Sequence, residues 1–289
     1  GNLRYFRKGY INQKQKFLTV KSTILFLYRK SDGCLTAVLL YLLHIKNIKM
    51  YTYKPADYFG VDELLSDEHK IIRSSIRDWV NKSVVPIIEQ AAHTHTFPVH
   101  LIKEMGELGI FGPFIPEKYG GAGLDYISYG VIQTELERGD SGIRSAASVQ
   151  SSLVMFPIHE FGSEEQKQKY LPKMATGEMI GCFGLTEPNH GSDPGSMETR
   201  FRDMGDHYLL DGAKMWITNS TIADIAVVWA KDEEGKVRGL IVEKGMEGFT
   251  APETTGKWSL RASVTGELVF DNVKVPKENM LPNVKGLKG

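Results

Sequence analysis

Cysteine is almost absent from this chain of 289 residues: Cys34 and Cys182 are the only two. Two distant thiols build neither a disulfide framework nor a metal cluster, so no metal site is expected and a reducing compartment fits. Cys182, between Gly181 and Phe183, reads as a small buried hydrophobe rather than a nucleophile. Long apolar runs are missing too. The longest, residues 35–43, is too short to span a bilayer. Net charge is also lacking, with 35 Lys and Arg against 35 Asp and Glu. That balance argues against nucleic acid as a main partner. No repeat or low-complexity tract appears. What remains is ordinary globular composition, 42% hydrophobic and 24% charged, over a length that suggests two domains.

The charge balance conceals a split. Residues 1–50 hold ten basic residues and one acid, Asp32, a surplus of about +9 that the remaining residues cancel. This segment has no clear helical or strand period and no cleavage site of signal-peptide type. Residues 1–49 are expected to be a poorly folded extension upstream of Met50, with a targeting leader as the alternative. The expected location is the cytoplasm, or the mitochondrial matrix if the leader is real.

From Ser66 the pattern is helical. Ser66 followed by Asp67 and Glu68 reads as a cap and acidic first turn, with an apolar stripe at Ile72, Ile76, Trp79, Val80 and Val84. Pro98 opens a second helix that Gly109 closes. Residues 126–137 and 141–161 follow as helices. Ser163-Glu-Glu-Gln166 forms a capping box, and Pro172 marks that helix's end. At Gly181 the pattern changes to short strands. Residues 207–218 read as two strands joined at Asp211-Gly212, a hairpin signal. The expected fold class is α+β: an N-terminal helical domain over 62–176, then a small antiparallel β domain over 181–280.

Two runs carry the chemistry. Gly181-Cys-Phe-Gly-Leu-Thr-Glu-Pro-Asn-His-Gly-Ser-Asp193 combines glycines, which admit close backbone approach, with short polar side chains. Asp211-Gly-Ala-Lys-Met-Trp-Ile-Thr-Asn219 is a turn followed by a strand. With Glu135-Leu-Glu-Arg-Gly-Asp-Ser-Gly-Ile-Arg-Ser145, residues 148–155, Gly162-Ser-Glu-Glu-Gln166 and Gly256-Lys-Trp-Ser-Leu-Arg-Ala-Ser263, these runs resemble the acyl-CoA dehydrogenase family. Within it the likeness is greatest to the glutaryl-CoA dehydrogenase branch, and it covers roughly residues 60–289.

The resemblance implies FAD as cofactor. It implies that Phe183, Gly184, Leu185, Thr186, Gly191 and Ser192 line the isoalloxazine, with Thr186 donating to it. Trp216 and Ile217 would flank the ring, Thr218 would sit near N5, and Ser192 would contact the pantetheine arm. His190 reads as a polar loop residue. Arg144, Ser145 and Ser148 are implied as the contacts of the distal carboxylate of glutaryl-CoA. For Arg144 the plain alternative is a solvated helix face or an internal ion pair, yet no acid follows within one turn, and a buried guanidinium needs an anion. The implied reaction is dehydrogenation of glutaryl-CoA with decarboxylation to crotonyl-CoA, within lysine and tryptophan degradation. Electrons would pass to an electron-transfer flavoprotein, and the complete enzyme would be a homotetramer. Alternatives are a general short-chain acyl-CoA dehydrogenase or a non-catalytic fragment that binds FAD or acyl-CoA. In the family the catalytic base is a Glu in a C-terminal helical domain, and no Glu here matches it. Residues 281–289 would begin a truncated linker, the C-terminal bundle would be lacking, and the chain alone would be inactive. Residues 126–161 would then expose an apolar face.

Overall fold

A computed structural model describes residues 57–287, so the basic extension at 1–49 lies outside the described residues. The chain divides at Asp62 into two units, and the fold is that of the second, from Glu63 onward. Helix α1 (Asp67–Trp79) starts where the sequence says: the Ser66 side chain accepts from the His69 N–H, and His69 answers with its ring nitrogen. It continues through a π-helical stretch, Val80–Val84, into α2 (Val85–Thr94). Helix α3 (Leu101–Glu107) buries Leu101, Ile102 and Met105. Helix α4 (Tyr126–Gly139) is capped by Asp125, and Asp140 breaks the chain direction to cap α5 (Ser141–Ser148). A second π-helical stretch, Val149–Met155, leads into α6 (Phe156–Phe161). Helix α7 (Glu164–Ala175) has the Ser163–Gln166 capping box, but Pro172 sits inside it rather than at its end. Tyr170, Leu171, Met174 and Ala175 are all buried, and that packing carries the helix past the proline.

Seven strands follow: β1 (Gly181–Gly184), β2 (Arg200–Asp203), β3 (His207–Thr218), β4 (Ile225–Lys231), β5 (Val237–Glu243), β6 (Phe249–Thr250) and β7 (Thr265–Pro276). The pairing order is β1-β4-β2-β3-β7-β6, with β5 on β4. Most pairs are antiparallel, whereas β1 runs parallel to β4 and β2 meets β4 at one parallel position, Arg200 with Lys231. The sheet is therefore mixed, not purely antiparallel. Strand β4 is buried on both faces, so its alternation is between two cores rather than between core and water. Ile225 and Val227 join the helical core with Val84, Leu136, Ile143 and Leu171. Ala226, Val228 and Ala230 join Cys182, Leu268 and Phe270 in the other. Cys182 is fully buried, which pushes its thiol up to about 12 and makes it inert.

Asp211-Gly212 is no hairpin turn, contrary to its local chemistry; β3 runs straight through it as one strand paired with β7. The register shifts between Leu210 and Gly212, which makes the pair a bulge. Gly212 has φ +139°, and a Cβ there would lie 2.6 Å from the Thr199 hydroxyl. Asp211 accepts from the Asn272 N–H at 3.0 Å across the ladder. The local residues are those of a turn, but tertiary pairing with β2 and β7 uses them to bend a strand. The expected apolar face over 126–161 amounts to Tyr126, Ile127 and Leu153, which are 63%, 53% and 38% exposed.

Candidate functional site

The site grows out of the ends of β1 and β3. After Gly184 the chain leaves the sheet as Leu185, Thr186 and Glu187. The Thr186 carbonyl accepts from the Met215 N–H at 2.8 Å, which ties this segment to β3. Lys214, on the buried side of β3, reaches across to donate to the Leu185 carbonyl at 3.1 Å and to Glu187 Oε1 at 2.8 Å. Glu187 also accepts from the N–H groups of Glu198 at 2.6 Å and Thr199 at 3.0 Å. The ion pair is dry: the side chains are 0% and 3% exposed. Burial would raise the Glu187 carboxyl, but the Lys214 and Thr199 hydrogen bonds and two backbone donors overcome it and hold it at about 2. Burial pulls the Lys214 ammonium below its usual range, and Glu187 works against that shift. One charged pair thus fixes the loop from both ends. His190 and Glu198 lie close enough to share a cation with Glu187. The Glu187 oxygens are already taken by Lys214 and the two backbone donors, and the cluster is read as part of the loop's framework.

The next residues on β3 are Trp216, Ile217 and Thr218. A second register shift, between Lys214 and Ile217, lifts Met215 and Trp216 out of the ladder. Trp216 takes φ +63° and is 57% exposed. A bulky residue in the left-handed region is strained, and such strain persists where the surroundings impose it. Lys214 on one side and Ile217, 3% exposed in the sheet core, on the other impose it here. Ile217 therefore offers a ligand its backbone and not its side chain. Thr218 is paired with Thr265 and half-buried. Phe183 is half-buried, in a T-shaped contact with Trp229 with ring centroids 6.0 Å apart. Leu185 and Thr186 are likewise half-buried, while Gly191 and Ser192 are exposed. Packing accounts for Gly184, where a Cβ would press on Leu268 and Lys214 at 3.1 Å; at Gly191 nothing lies within 4 Å of one.

Arg144, Ser145 and Ser148 come together on α5. Arg144 Nη1 donates to Ser148 Oγ at 3.2 Å, and Ser148 donates to the Ser145 carbonyl at 3.1 Å. Arg144 is not the unpaired buried cation its local sequence suggests. Its Nε donates to Glu137 at 2.7 Å, and its side chain is 34% exposed. The partner precedes it in sequence, on α4, and the break at Asp140 brings the two together. Hydrogen bonds from Ser141 and Arg144 keep the Glu137 carboxyl below its usual range. Arg144 lines a groove of about 470 Å³ with Ala92, Asp140, Ser141, Leu260 and Arg261. Glu137, Glu187, Lys214 and Asn219 are neighbours of the site that the sequence does not single out. Lys214, a lone ammonium on a strand between apolar residues, is the one whose pattern signals burial with a partner.

Residues 66–178 match the acyl-CoA dehydrogenase N-terminal domain and residues 182–273 the acyl-CoA dehydrogenase middle domain. The chain belongs to the acyl-CoA dehydrogenase family. Among its relatives, the mitochondrial short-chain specific acyl-CoA dehydrogenase of Rattus norvegicus is 39% identical over 221 residues, which are 75% of this chain and 54% of that protein. A glutaryl-CoA dehydrogenase from Mycobacterium smegmatis, solved in complex with FADH2, superposes with a TM-score of 0.79 at 48% identity, covering 82% of this chain and 61% of the other. A glutaryl-CoA dehydrogenase solved with glutaryl-CoA superposes at 0.73 with 38% identity, over 76% and 58% of the two chains. The chain thus spans a little over half the length of the relatives it matches.

Proposed function

We propose that the protein holds FAD against residues 183–192 and the Trp216–Thr218 end of β3, and acts on glutaryl-CoA. The product would be crotonyl-CoA, formed by dehydrogenation and loss of CO₂. The single observation that carries the reading is Trp216: an indole held in water by a strained backbone, two residues before the half-buried Thr218 and next to Met215, whose N–H donates to the carbonyl of half-buried Thr186. A flat aromatic cofactor with a polar edge fits this set. The indole offers an apolar face, the hydroxyls of Thr186 and Thr218 offer donors, and Gly191 leaves room for backbone approach. FAD, when bound, supplies the two-electron acceptor for a hydride leaving the carbon β to the thioester. The residues of the chain orient and polarise. The Lys214–Glu187 pair presets the loop, so its donors need no reorganisation when negative charge develops beside them.

Arg144, with Ser145 and Ser148, would take the far carboxylate of the substrate through charge-assisted hydrogen bonds, and Ser192 the pantetheine arm. Arg144 and the 48% identity to the Mycobacterium smegmatis glutaryl-CoA dehydrogenase, against 39% to the rat short-chain enzyme, favour this substrate over a simple short-chain acyl-CoA. The existing pair with Glu137 favours the second reading, a general short-chain enzyme or a binding fragment in which Arg144 is structural. Abstraction of the α-proton is assigned to no residue among 57–287. Electrons would leave to an electron-transfer flavoprotein, and the assembly would be a homotetramer.

Trp216→Gly separates a ligand role from a structural one. Glycine relieves the positive φ, so the variant should be as stable as the parent or more so, by about 1 kcal/mol. Its FAD affinity, read by quenching of flavin fluorescence, should fall about tenfold with the lost aromatic contact. Unchanged FAD affinity would remove Trp216 from the site and with it the carrying observation.

A further inference from the structure

Asn219 ends the Trp216-Ile-Thr-Asn segment and touches neither the loop nor the Arg144 groove directly. It is 1% exposed and has φ +68°, a conformation that Asn tolerates better than other residues with a Cβ. Its Nδ2 donates to the Ala146 carbonyl at 3.2 Å and to the Gly181 carbonyl at 3.3 Å. Its backbone N–H donates to Val264, just before β7, at 3.2 Å. Ala146 lies on α5 between Arg144 and Ser148, and Gly181 opens the strand that leads to Phe183 and Thr186. Gly181 is held from its other side as well, its N–H donating to Gln150 Oε1 at 2.8 Å. Gln150 in turn donates to the carbonyls of Met174 and Met179 at 3.0 and 2.8 Å. Helix and strand approach closely here, since a Cβ on Gly181 would lie 2.5 Å from Val154 Cγ1. One buried amide therefore meets carbonyls from two elements that no ladder joins.

We infer that Asn219 is a positioning residue whose side-chain amide fixes the helix of Arg144 and Ser148 to the strand ends of Phe183–Thr186 and Trp216–Thr218. It holds the acyl side and the flavin side of the site in one frame. The inference rests on the reading of those two groups as acyl and flavin contacts. Its leverage is distance: reacting atoms must meet at roughly 3–3.5 Å, and a misplacement of about 1 Å costs on the order of 100-fold.

Two variants test it. Asn219→Gly keeps the left-handed backbone and deletes the amide; Asn219→Asp keeps the shape and puts an acceptor where two carbonyls need a donor. The first readout is amide hydrogen exchange on the chain without ligand. Both variants should lose protection in Ser141–Ser148 and in Gly181–Gly184 together. A loss confined to the residues around 219 overturns the inference. The second readout uses the FAD-loaded complete enzyme: kcat should fall about 100-fold while KM and FAD affinity stay within about threefold. Unchanged kcat in a folded variant overturns it too. Should Asn219→Gly fail to fold, Asn219→Asp alone decides by the same measures. Parent protein that takes up no FAD would defeat the functional reading, and the exchange result would still decide this one.

Discussion

Lys214→Met will destabilise the protein by about 3–5 kcal/mol, the cost of leaving one partner of a buried ion pair without the other. The pair is dry and its bond is 2.8 Å. Without the ammonium, Glu187 keeps the N–H groups of Glu198 and Thr199 and the Thr199 side chain, neutral donors that do not balance a carboxylate's charge away from water. The double variant Lys214→Met with Glu187→Gln should recover much of the loss, because a neutral amide still accepts from those N–H groups. The pH dependence follows in sign. The Glu187 carboxyl sits at about 2 in the folded chain against an ordinary value of 4.5, so its stabilisation is fully present above about pH 5. It is lost as pH falls toward 2, and the drop is on the order of 3 kcal/mol. Urea midpoints of both variants and the parent, measured from pH 7 down to about 3, read all of this. The acid limb should flatten in the double variant, where no carboxyl remains at position 187. A Lys214→Met chain as stable as the parent at neutral pH would mean the pair is not the clamp described.

Arg144→Ala will weaken glutaryl-CoA by about 2 kcal/mol, roughly 30-fold, the scale for a hydrogen bond to a charged group. Butyryl-CoA, which ends in a methyl group, should be spared. The ion pair with Glu137 makes the comparison sharper. Glu137 already engages Arg144, so the substrate's carboxylate would have to share the guanidinium with it, using other N–H groups of the five. A role in the Glu137 pair alone predicts equal losses on both thioesters, through disorder of the turn at Asp140. A loss confined to the dicarboxylic substrate assigns the residue to recognition. Kd values for the two CoA esters on parent and variant decide between them.

The parts of this molecule legible in the sequence are those that depend on near neighbours. Ser66 and Ser163 announce their helices because a cap and its partner lie within three residues. The segment 141–161 reads as helical from its small and apolar residues, although the π-helical turn inside it does not show. Local chemistry misleads where tertiary contacts recruit it: Asp211-Gly212 has the residues of a turn and serves as a bulge because Thr199 and Asn272 close on it. Polar pairs across the fold leave no local trace of which residue the partner is. Glu187 and Lys214 are 27 positions apart, and Asn219 and Ala146 are 73 apart. Arg144 shows the same limit at short range. Its acid lies seven residues earlier, beyond a helix break and outside the turn that follows Arg144.

Anaerobic addition of glutaryl-CoA to the FAD-loaded complete enzyme, followed in the visible flavin band, tests the central claim most directly. Bleaching with release of CO₂ is the expected result. Bleaching by butyryl-CoA but not by glutaryl-CoA would contradict the claim, moving the protein to the general acyl-CoA branch and leaving Arg144 as a structural charge.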